Sequence, residues 1–232
     1  MLVSVPPLLS DLDAGANNER GAPFSRLALI GNALPRKCGL ATFTSHVADA
    51  LRARWPRLVL DHYAIDDGTG VTYPDDIHVI PIDDEAAYRE AAAEIEASGA
   101  GAIWLQHEYG IFGGAAGAHI LELINSTSVP IVVTLHTILE QPSPGERAVF
   151  EKLLARADHL IVMAAQGADI LRRVHGVPPQ RVSVIPHGVP DRPMRDPDSG
   201  KARFGWEGRK VLMTFGLLAP DKGIAHMIEA MP

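Results

Sequence analysis

From position 26 onward the chain alternates short apolar runs with longer stretches of helical periodicity. Residues 27–30, 58–64, 77–80, 102–105, 131–135, 160–163 and 182–185 read as strands, each rich in β-branched or large apolar side chains and bounded by turn formers. Several of these runs are apolar at successive positions, the pattern of strands buried on both faces. The intervening helices supply the cover. The economical arrangement is α/β: a doubly wound, mostly parallel, Rossmann-like sheet.

The helical stretches have recognisable ends. Residues 42–54 place Phe43, Val47, Ala50 and Leu51 on one stripe, and Asp83 or Asp84 can cap the alanine-rich segment that stops before Gly99. Residues 115–124, 144–156 and 166–174 complete the set. Residues 1–25, with Pro6, Pro7, Gly15, Asn17, Asn18 and Gly21, lack periodicity and read as a flexible arm ahead of a domain at 26–190. Pro190, Pro193, Pro197, Ser199 and Gly200 then break the pattern. Residues 191–208 are expected to form a linker, and 209–232 the start of a second domain, with a strand at 211–215, that the chain does not complete.

Composition narrows the function classes. With 47% hydrophobic and 21% charged residues, the 232-residue chain can bury a full core, and its formal charge of -7 argues against nucleic acid as the main partner. No apolar run is long enough for a transmembrane segment, and the start lacks a basic leader, so a cytoplasmic protein is expected. The single cysteine, Cys38, forms no internal disulfide and no metal cluster. A lone cysteine is more often a packing residue than a nucleophile.

In such a sheet ligands bind beyond the carboxyl ends of the strands, and there the unusual residues fall. The first strand leads into Gly31-Asn32-Ala33-Leu34-Pro35-Arg36-Lys37-Cys38-Gly39, which runs into a helix amino terminus and would suit a phosphate; a glycine turn with solvated basic residues is the plain alternative. It carries neither G-x-G-x-x-G nor a P-loop. After the fourth strand, Gln106, His107, Glu108, Tyr109 and Gly110 shape either a pocket wall or a self-bonded turn. The fifth strand ends at His136, and His187 follows the seventh between Pro186 and Gly188. The H-E-x-x-H spacing of a zinc site is absent, which leaves a metal hydrolase on His107, Glu108 and His136 as a weak competitor.

Taken in order, these segments resemble glycosyltransferase family 4, the retaining enzymes of two-domain GT-B architecture. The resemblance rests on the loop at 35–43, on Val133-Thr134-Leu135-His136-Thr137, on Val184-Ile185-Pro186-His187-Gly188-Val189, and on Gly216-Leu217-Leu218-Ala219-Pro220-Asp221-Lys222-Gly223. It implies transfer of a sugar from a nucleotide diphosphate sugar to a carbohydrate or other hydroxyl acceptor with retention, without a metal or other cofactor. By this resemblance Gly39 lies beside the donor diphosphate, His136 contacts the donor sugar and Lys222 neutralises the leaving diphosphate. Arg36, His107, Glu108, Tyr109 and His187 are then candidates for the acceptor side of the pocket. Two departures stand out: His187 occupies a position where asparagine is common, and Leu217 one where the family carries a diphosphate-binding arginine. The competing reading of the same loops is a carbohydrate- or nucleotide-binding domain without catalysis.

Overall fold

The computed structural model describes residues 22–189, 193–216, 218 and 222–231. These divide into two compact units, one ending at His187 and one beginning at Gly188. The first holds a single seven-stranded sheet. Its strands are β1 (Arg26–Gly31), β2 (Val59–Asp66), β3 (Ile77–Pro81), β4 (Ala102–His107), β5 (Ile131–Leu135), β6 (His159–Val162) and β7 (Val182–Val184). All six pairings are parallel, in the order β3-β2-β1-β4-β5-β6-β7. All seven expected strands are present, although β2 runs further, to Asp66, and β7 stops at Val184.

The helices of this unit are α1 (Gly39–Arg54), α2 (Glu85–Ala97), α3 (Ile120–Asn125), α4 (Pro144–Arg156) and α5 (Ala165–His175). Side chains alternate across the sheet, so neighbouring residues of one strand feed two different cores. Ala28, Ile30, Ile103 and Leu105 join Tyr88, Ile95, Leu123, Phe150 and Leu153 in the larger core, beneath α2, α3 and α4. Leu27 and Ala102 meet Leu51 and Leu58 in the smaller one, with Phe24, Val47 and Trp104 packed against it. Residues 1–21 of the expected arm lie outside the described residues; Phe24 contributes to this smaller core.

Local chemistry sets the helix ends. The Asp84 carboxylate accepts from the backbone amides of Ala86 and Ala87 at the start of α2, and Ser143 and Glu146 form a reciprocal capping box at α4. Gly176, at φ 67°, ends α5 in the left-handed region. The stripe of α1 differs from the expected one: Ala41, Thr44, Ala48 and Leu51 are buried, while Ala50 faces out. The continuous helix expected at 115–124 is also absent. A single turn at Ala115–Gly117 precedes α3, because Gly114 (φ 77°), Ala116 (φ 56°) and Gly117 (φ 79°) all hold left-handed backbone that no helix accommodates.

Gly113 shows why this segment is held so tightly. A Cβ there would run into the Ile82 carbonyl oxygen, and the His119 ring, whose Nδ1 bonds that same carbonyl at 3.1 Å, closes the other side. Gly113→Ala is therefore expected to lower stability by about 1–3 kcal/mol, read as a lower urea midpoint at unchanged slope.

The second unit contains α6 (Pro197–Arg203), capped by Asp196, and α7 (Ile224–Glu229). A helix thus occupies part of the expected linker. The strand expected at 211–215 does not form: those residues are irregular, and Leu212, Met213 and Phe215 are exposed. A strand needs a partner for its amides and carbonyls, and no neighbouring strand of that unit is present among the described residues. Leu217 lies outside the described residues.

Candidate functional site

The switch point of the sheet lies at β1, flanked by β2 on one side and β4 on the other. Loops leaving β1 and β4 diverge there and open the crevice in which such sheets bind ligands. The β1 loop enters α1 through Cys38, whose Sγ accepts from the Ala41 amide at 3.2 Å and from Asn32 Nδ2 at 3.3 Å. The thiol acts as a helix cap. Gly39 opens the sixteen-residue helix, and no atom lies within 4 Å of the place its Cβ would occupy. The Ala41 and Thr42 amides are taken up by the Cys38 thiol and carbonyl, while the space beside Gly39, at the positive end of the helix dipole, is open, and a helix start of that kind suits an anion. Arg36 is already engaged: it meets Asp67 at 2.8 Å and donates to the Ile65 carbonyl at 3.3 Å, tying the loop to the end of β2.

Across the switch point, β4 and β5 deliver the polar residues. The His136 amide donates to the His107 carbonyl at 3.0 Å, extending the parallel ladder by one rung beyond β5. His136 Nε2 meets Gln106 Oε1 at 3.0 Å, and Gln106 is fully buried. Glu108 accepts from its neighbour's amide, Tyr109 N, at 2.9 Å and from Thr137 Oγ1 at 2.7 Å. One carboxylate oxygen thus caps its own turn, and the other ties the β4 loop to the β5 loop. His107 is only 2% exposed, with ring contacts to Tyr109, Phe112 and Phe150. It stands in the wall behind the site.

Phe43, on the second turn of α1, joins the two halves. Its ring meets His136 edge-on at 4.7 Å and His187 at 5.1 Å, and it sits one turn beyond Gly39. The open helix terminus, the β5 histidine and the histidine after β7 are thereby gathered in one place.

Burial sets the charge of this group. Loss of hydration pushes His136 down to about 4, with the nearby His187 adding to the effect, and pushes His107 down to about 3, with His136 contributing. Both rings are neutral at pH 7. Burial, with Glu146 and Glu108 nearby, raises the Tyr109 phenol to about 12, so it keeps its proton. His107, Glu108 and His136 each turn to a different partner, so the three do not converge as a metal-binding set would. Among the described residues no group of three or more histidine, cysteine or carboxylate side chains gathers around a common point.

Residues 37–192, a segment that includes β2 to β7 and the loops carrying His107, Glu108, His136 and His187, match the model of glycosyltransferase family 4. The chain belongs to glycosyltransferase family 4. The D-inositol 3-phosphate glycosyltransferase of Acidothermus cellulolyticus is 34% identical over 110 residues, 41% of this chain and 24% of that protein. Its counterpart in Rhodococcus opacus is 30% identical over 116 residues, 44% of this chain and 26% of that protein. These matches span about a quarter of the length of the curated relatives. Among solved structures, the apo form of the lipopolysaccharide outer core galactosyltransferase WaaB superposes with a TM-score of 0.51 at 13% identity, covering 71% of this chain and 46% of that one. At that identity the likeness concerns the fold, which is the Rossmann-like fold of a GT-B glycosyltransferase.

Of the residues singled out in the sequence of this family 4 chain, Gly39, His136 and His187 come together around Phe43. Glu108 and Tyr109 form the adjoining loop, while Arg36 and His107 are taken up by Asp67 and by the aromatic wall. Lys222 lies in the second unit, exposed, two residues ahead of α7. Sequence reasoning placed Gln106 in a pocket wall without its tie to His136, and missed Phe43 as a site residue. The signal for Gln106 was a polar residue at the end of an otherwise apolar strand; Phe43 carried none, because an aromatic on a helical stripe reads as core.

No helix among the described residues is long and apolar enough to cross a membrane.

Proposed function

We propose that this chain carries the acceptor-side domain of a retaining glycosyltransferase that moves a sugar from a nucleotide diphosphate sugar to an acceptor hydroxyl. The observation that supports the reading best is the convergence of the open α1 terminus at Gly39 with His136 and His187 around Phe43, within a family 4 domain. The helix terminus receives the donor diphosphate through backbone amides and the dipole, which needs no metal at that point. His136, neutral and held in place, contacts the donor sugar. The loop at 106–114 borders the acceptor, with Tyr109 as a protonated phenol and Glu108 as its brace; Arg36, tied to Asp67, and His107, in the aromatic wall, back that side without facing it, and His187 adjoins it.

The test is calorimetric titration with UDP-glucose, UDP-N-acetylglucosamine and GDP-mannose, each against its free sugar. The proposal expects saturable binding of one nucleotide sugar that its free sugar does not reproduce. Binding of free sugars alone, with no response to any nucleotide, would replace it with a carbohydrate-binding domain.

A further inference from the structure

The function assigned to His136 requires a definite proton arrangement, because a neutral imidazole offers a donor at one nitrogen and an acceptor at the other. Gln106 stands where that choice is made. Its Oε1 lies 3.0 Å from His136 Nε2 while its Nε2 is buried without a partner, and a carboxamide oxygen accepts, so in this orientation of the amide the contact calls for the ring proton on Nε2 and the lone pair on Nδ1. The Gln106 side chain as a whole has little room to move. It is fully buried, and its Cβ and Cγ stand 3.0 and 3.2 Å from the position a Cβ on Gly31 would take, so the absence of a side chain at Gly31 makes room for it. The ring itself is held from the other side by the edge of Phe43, at 4.7 Å and 89°.

We propose that Gln106 is a positioning residue that fixes His136 in its Nε2-protonated tautomer, so that the histidine presents an acceptor, at Nδ1, to whatever occupies the crevice. The inference rests on the donor-sugar role proposed for His136 and makes it more specific. A lone pair accepts from a hydroxyl and is repelled by a fully ionised phosphate oxygen, so the group facing His136 is a sugar hydroxyl and the diphosphate stays at the α1 terminus. Phe43 fixes where the ring sits; Gln106 fixes which nitrogen carries hydrogen.

The ionisable groups around this pair are His107, which accepts the His136 amide through its carbonyl; His187, which shares Phe43 with it; and Glu108, bonded to the adjacent Thr137. Neither neighbouring histidine stabilises an imidazolium at His136, and Glu108 is committed to the loop. The tautomer is thus set by Gln106.

The experiment is two-dimensional nitrogen NMR of the ring nitrogens in the histidine-labelled chain, with His136→Ala identifying the signal. The wild type is expected to show His136 as the Nε2-protonated tautomer from pH 6 to 8. Gln106→Leu should blur it into a tautomer mixture, and Gln106→Glu, which places a carboxylate against Nε2, should shift the titration upward by a unit or more. A merely structural role for Gln106 would leave both readings untouched. An Nδ1-protonated ring in the wild type, or an unchanged tautomer and titration in both variants, overturns the proposal. Adding UDP-glucose, UDP-N-acetylglucosamine or GDP-mannose then separates the two claims: if the tautomer is as stated but no nucleotide sugar moves the Nδ1 resonance, the positioning role stands and the donor-sugar role of His136 falls.

Discussion

His136→Ala is expected to cut glycosyl transfer by about two orders of magnitude, the size of loss that follows when a group that places the reacting sugar is removed. Folding should change little. The side chain is half-buried at the end of the sheet, outside both apolar cores, and the backbone contact from its amide to His107 survives the substitution. The comparison is made at saturating acceptor, with kcat and KM for the donor measured separately beside a urea unfolding curve. A variant with parent-like transfer would remove His136 from the site. A variant that fails to fold would show that its contact with Phe43 matters to the structure more than its exposure indicates.

The second large effect is on acid stability. His62, His107 and His136 are neutral in the folded state because burial pushes them to about 4, 3 and 4. In the unfolded chain each returns to the ordinary range near 6.5. A depressed histidine binds its proton more readily when unfolded, so stability is complete above about pH 6.5 and is lost as the pH falls toward the folded-state values. Across that window each strongly buried histidine removes up to ~1.4 kcal/mol per pH unit. His62 and His107 together account for roughly 2–3 kcal/mol per unit, with His136, partly open to solvent, adding less. Urea midpoints measured from pH 7.5 to 4.5 should therefore fall steeply below 6.5. His62→Leu, which removes one titrating group from β2, should flatten the slope. Midpoints independent of pH across this range would mean that these rings are charged, or satisfied, in the folded protein.

Much of this architecture was legible in the residues. The seven strands were, because strands covered on both faces must be apolar at successive positions, and the sequence writes that as short runs of valine, isoleucine and leucine. The candidate site was partly legible for a related reason: in a parallel sheet the chemistry gathers at strand ends, so a histidine at 136 or 187 carries meaning that the same residue in mid-helix would not. Phe43 was opaque because helical periodicity registers only that a residue is apolar, and both a core and a histidine pair accept an aromatic edge. Gln106 was visible but silent; its role depends on His136 thirty positions later, a pairing fixed by the β4–β5 register. The break at 114–117 escaped because alanine-rich sequence favours a helix locally, whereas the left-handed turns are imposed by the packing of Gly113 and His119 against Ile82. The run at 211–215 has strand composition but no neighbouring strand among the described residues of its unit, and composition alone does not make a strand.

Retaining transfer from a nucleotide diphosphate sugar is tested by the stereochemistry of the product. The protein is incubated with the nucleotide sugar that binds and a panel of hydroxyl acceptors, and the anomeric configuration of the product is read by proton NMR. A new glycosidic bond of the same configuration as the donor is expected, formed in the wild type and strongly reduced in His136→Ala. A product of inverted configuration, or hydrolysis and binding without transfer to any acceptor, would contradict it.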